Sequence, residues 1–73
     1  MSELHPRFAG AIAELQRARP ELQIGGSERH GLVHNEYRFT AEWPDGSMIA
    51  GEWCDTVHKA DGNMRSLLMV AKQ

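Results

Sequence analysis

Leu4, Phe8, Ala11, Ile12 and Leu15 recur at spacings of three and four, which gathers them on one face of a helix predicted over Ser2 to Arg19. Pro6 fits only the first turn of that helix, where its missing N–H costs no bond, and Pro20 stops it. Arg17 and Arg19 then lie at the carbonyl-rich end, where positive charge is favourable. Leu22 and Ile24 alternate with Glu21 and Gln23 as a short strand. Gly25 to Gly31 reads as a loop by composition.

The strongest pattern is a hairpin from about Val33 to Val57 with Pro44-Asp45-Gly46 at its tip. A three-residue loop with Gly46 in the left-handed region pairs Trp43 with Ser47 and puts the odd-numbered residues of both strands on one side. That side gathers Val33, Tyr37, Phe39, Ala41, Trp43, Ile49, Trp53 and Val57, and a two-residue loop would scatter them. In this register Phe39 faces Gly51, Tyr37 faces Trp53, and Arg38 faces Glu52 on the other side. Both tryptophans then belong to the core, covered by the N-terminal helix.

Met64 to Gln73 reads two ways. Met64, Leu67, Leu68 and Ala71 fit a helix, whereas Asp61-Gly62 is a hairpin turn that would set Trp53 opposite Val70 and Cys54 opposite Met69. The turn favours a fourth strand, with Leu67 and Met69 joining Met48, Ala50 and Cys54 in an exposed apolar patch. The expected fold is α+β: one domain over residues 1–73, an N-terminal helix on one side of a three- to four-stranded antiparallel sheet, with α-β-β-β-α as the alternative.

Seventy-three residues bury only roughly 60% of the unfolded chain's surface, so the core is thin and a partner or a second copy would add noticeably to stability. A formal charge of −2 argues against a general nucleic-acid binder and is far too small for a DNA mimic. Cys54, the single cysteine, excludes an intramolecular disulfide and suits a reducing compartment. The longest apolar run, Leu67 to Ala71, is too short for a membrane span, and no signal-peptide pattern is present, so the expected location is cytoplasmic.

His30, His34, His58 and Cys54 are the residues from which a metal site would have to be built. Cys54 and His58 stand four residues apart on one predicted strand, roughly 13 Å, too far to share a zinc. No metal or other cofactor is expected. Glu36, across from Cys54 in the predicted register, disfavours the thiolate that a Cys54/His34 nucleophile pair needs. No phosphate loop, G-x-S-x-G or H-E-x-x-H occurs, so no catalytic residue is assigned.

The helix, three strands and possible last helix follow the order of double-stranded RNA-binding domains. Gly31-x-x-His34, Phe39 and Gly51 loosely resemble that family's central stretch. The resemblance implies a lysine cluster opening the last helix, whereas Thr56 to Asp61 offers one lysine and one opposing carboxylate.

The remaining class is a protein-binding module. On the even-numbered side of the hairpin, His34, Arg38, Glu42 and Glu52 form a polar rim around small apolar centres. Trp43 is an aromatic anchor beside the turn, and Arg29 and His30 lie in the glycine-flanked loop. A free sheet edge would offer a further route to a partner strand or a homodimer. In length and α+β economy the whole chain resembles the small bacteriophage-encoded inhibitors of host RNA polymerase, a profile shared by anti-CRISPR proteins. That resemblance implies a non-enzymatic transcription regulator, acting in the host cytoplasm by occupying the polymerase and altering initiation or terminator readthrough. It carries over no site residue.

Overall fold

The computed structural model describes residues 6–71. Helix α1 (Pro6–Ala18), strands β1 (Gln23–His30), β2 (Asn35–Glu42) and β3 (Met48–Ala50), and helix α2 (Val57–Val70) follow in that order. The strands form one antiparallel sheet in the order β1-β2-β3, so the fold is α+β in the α-β-β-β-α arrangement. The start of the helix predicted from Ser2, including Leu4, lies outside the described residues.

Phe8 organises the core. Its ring meets Tyr37 and Phe39 edge-on, with centroids 5.4 and 5.2 Å apart, and all of its surface is buried. Leu15, Leu22, Ile24, Ala41, Val57, Ala60, Met64 and Leu68 complete the cluster between the two helices and the odd-numbered side of β2. That is the face predicted for α1. Half-buried Gln16 ties α1 to the start of β1: its Oε1 accepts from Ile24 N–H at 3.0 Å and its Nε2 donates to the Leu22 carbonyl.

The segment 25–31, read as a loop, is instead mostly strand. β1 pairs with β2 over eight residues, from Gln23 opposite Glu42 to His30 opposite Asn35. Its glycines serve close packing rather than a turn. A β-carbon at Gly26 would stand 2.5 Å from Phe8 Cζ and 2.8 Å from Ile12 Cδ1. The connection to β2 is a tight turn in which Gly31 N–H donates to the His34 carbonyl at 2.9 Å. Val33 sits in that turn and is 90% exposed, not in the core.

The second turn follows the pattern read from Pro44-Asp45-Gly46. Gly46 has φ 96°, its N–H donates to the Trp43 carbonyl, and Trp43 N–H donates to that of Ser47. Asp45 accepts from Ser47 N–H and Oγ–H, which holds its carboxyl below the usual range. Pairing continues in the expected register, Glu42 to Met48 and Thr40 to Ala50, as far as Gly51 N–H on the Phe39 carbonyl. It then slips by one residue. Tyr37 exchanges both backbone bonds with Cys54 at 2.8 Å, so Glu52 and Trp53 together oppose Arg38 in a β-bulge. The expected Tyr37–Trp53 and Arg38–Glu52 pairs therefore do not form, nor does Glu36 face Cys54. Tyr37 and Phe39 stay on the core side, Cys54 joins them, and Trp53 turns to the opposite side with Arg38.

Met64–Val70 is helical, so no fourth strand forms, and the patch of Leu67 and Met69 beside Cys54 is absent. Thr56 caps α2, its Oγ1 accepting from Lys59 N–H at 3.1 Å. Val57, Ala60, Met64 and Leu68 recur at helical spacing and bury a continuous stripe. That burial outweighs the Asp61-Gly62 turn preference. Gly62 points into open space and Asp61 pairs with Arg65 at 3.0 Å, one turn on.

Two glycine substitutions separate packing from propensity. Gly26→Ala is expected to lower stability by about 1–3 kcal/mol through its clash with Phe8, and Gly62→Ala to raise it by about 0.5–1 kcal/mol. Urea midpoints at constant slope measure both.

Candidate functional site

With both helices on the odd-numbered side, the other face of the sheet carries no helix among the described residues. Gln23, Ser27, Arg29, Glu36, Arg38, Thr40, Glu42, Met48 and Ala50 present their side chains there by strand alternation. The bulge adds Trp53, the largest group on this face. Arg29 Cζ lies 4.2 Å from the indole centroid and Arg38 Cζ 4.7 Å from it. Two guanidiniums on adjacent strands thus share one half-buried ring.

Their environments differ. Arg29 donates from Nε to Glu36 Oε1 at 2.7 Å, directly across the ladder. Arg38 has its Nε buried without a hydrogen-bond partner among the described residues. Stacking on Trp53 replaces that bond with an electrostatic contact on the ring face, worth about 0.5–2 kcal/mol depending on desolvation.

Of the residues singled out from the sequence, Arg29, Arg38 and Glu42 lie on this open face, Arg29 and Arg38 together at Trp53 and Glu42 toward the other end of β2. Glu52 is exposed in the bulge, with its N–H taken by Asn63 Oδ1 at 2.8 Å. His30 and His34 are exposed at the two ends of the β1–β2 turn, which also carries the fully exposed Leu32. Arg29, His30, Leu32, Val33, His34 and Glu36 line a shallow depression there. Trp43 is half-buried and packs on the core from the opposite side, as its odd number implies. Strict alternation assigns Trp53 inward, so the sequence pattern does not show it as a surface group. Gly51 before it was the available signal, since glycine inside a strand pattern often marks a bulge.

At the start of α2, the Lys59 ammonium 3.2 Å from Asp55 holds that carboxyl below its usual range, with a smaller contribution from His34. The lysine at the position that resembles an RNA-binding helix start is therefore already paired. Among the described residues no three His, Cys, Asp or Glu side chains gather where a metal could sit, and no helix is long and apolar enough to cross a membrane. No known family model, curated protein or solved structure matches the chain.

Burial, then the charges of Glu52 and Asp55, push the Cys54 thiol above its ordinary value. A raised value means that the neutral thiol favours the folded state below the ordinary thiol pKa and that this contribution fades as pH rises through the higher folded value. Alkylation of Cys54 at pH 8 is expected to run slower in the native protein than in urea-unfolded chain. Equal rates would show that the thiol is neither shielded nor perturbed.

Proposed function

We propose that this chain is a non-enzymatic regulator that binds a protein partner through the open face of its sheet. The observation that carries the reading is the Trp53 ring held at the surface by Arg29 and Arg38. Tryptophan and arginine are the side chains that dominate interface energetics, and here they are prearranged on paired strands, so little ordering is left for binding. Glu36, Thr40 and Glu42 supply the polar rim such a contact needs. The Arg38 guanidinium on the ring adds positive charge to that face. Bacterial RNA polymerase is the partner favoured by the resemblance in length and economy to phage-encoded inhibitors, with a CRISPR effector complex as the alternative, and the site of action is the cytoplasm.

Duplex RNA is a second reading. It is favoured by the α-β-β-β-α order and by the Gly31–His34 turn, whose His34 lies within electrostatic reach of Asp55 beside the start of α2. The paired Lys59 and the net charge of −2 weigh against it.

Affinity capture from bacterial lysate, followed by titration of the recovered protein, separates these readings. Arg38→Glu and Trp53→Ala are each expected to weaken partner binding by about tenfold or more, with the thermal midpoint within a few degrees of wild type. Binding of duplex RNA that falls with salt and depends on His34, with no protein recovered, would reject the protein reading.

A further inference from the structure

The two edges of the sheet are built differently. Alternation from the Gly31–His34 bond commits the backbone of Gln23, Gly25, Ser27 and Arg29 to β2, so Ile24, Gly26, Glu28 and His30 face the free side of β1. That edge is protected. Gln16 takes the Ile24 N–H, and Glu28 puts a carboxylate in the row. Covering contacts and edge charges are how proteins keep a strand from recruiting another.

Among the described residues β3 has no such protection. The bonds from Trp43 N–H to Ser47 and from Gly51 N–H to Phe39 frame a ladder that commits Ser47, Ile49 and Gly51 to β2. Met48 and Ala50 therefore point their N–H and C=O groups outward, and no described residue is bonded to them there. Ser47 to Gly51 carry no charge. The free row ends at Glu52, whose N–H Asn63 takes. Apolar surface continues beside it: Met48 is 60% exposed, and Val70, two turns beyond Asn63 on α2, is 85% exposed.

We propose that β3 pairs with β3 of a second copy of this chain, independently of the face that carries Trp53. An antiparallel register with Ile49 opposite its own copy sets Met48 against Ala50 twice, and each such pair exchanges two backbone bonds. Four bonds thus close across a two-fold axis, and two three-stranded sheets become one of six. A second copy is the occupant because an uncharged strand meets itself with no like-charge contact along the paired stretch, while Asp45 and Glu52 lie at its water-exposed ends. The same operation on β1 would desolvate Glu28.

Sedimentation equilibrium of the full chain tests this. The expected mass rises with concentration from 8.2 kDa toward twice that value. Ala50→Pro removes an outward N–H without touching the β2 ladder, and Met48→Lys adds a charge to the edge. Each is expected to weaken the dimer by about tenfold or more, with the thermal midpoint of dilute protein within a few degrees. Should Ala50→Pro not fold, Met48→Lys carries the comparison. A chain that stays at 8.2 kDa to millimolar concentration, or a dimer that the folded variants leave unchanged, overturns the proposal.

Discussion

The extra residue between Gly51 and Cys54 decides what each side of the sheet carries. Strand alternation would give the core a second large ring beside Tyr37 and leave the cysteine in water. Because Glu52 and Trp53 share the place opposite Arg38, the order inverts: the small thiol faces the core and the indole faces out. The inversion also suits the packing. Phe8 already fills the space over Tyr37 and Phe39, and a tryptophan beside them would compete with it for volume that a close-packed interior does not have.

Gly51 makes the bulge possible from the other direction. A β-carbon there would come within 2.6 Å of Asn63 Oδ1 and 3.4 Å of the Phe39 carbonyl. Without one, α2 approaches closely enough for Asn63 to take the Glu52 N–H that the bulge frees. The strand, the bulge and the last helix are therefore one cooperative unit, with Thr56 opening the helix immediately after it.

Much of the fold is legible in the sequence because each legible part rests on a local rule. Phe8 and Leu15 mark the buried face of α1, Pro20 its limit, and Pro44-Asp45-Gly46 gives both turn and register from Trp43–Ser47 to Phe39–Gly51. The errors arise where tertiary contacts overrule local preference. Gly25 and Gly26 look like a loop until Phe8 and Ile12 claim the space of a β-carbon at Gly26 and Thr40 crowds one at Gly25, and Asp61-Gly62 looks like a turn until Met64 and Leu68 bury a helical stripe around it. The site is half legible for the same reason. Arg29 and Arg38 are recognisable as surface cations, but the ring that joins them reaches their face only through a one-residue slip that no periodicity records.

The chain has two tryptophans, and the bulge leaves them on opposite sides of one thin sheet. Trp43 rests against the hydrophobic interior, while Trp53 lies under cationic side chains. Their intrinsic fluorescence consequently reads two compartments at once, with an emission from the interior that reports unfolding and another from the outer surface that reports what touches it.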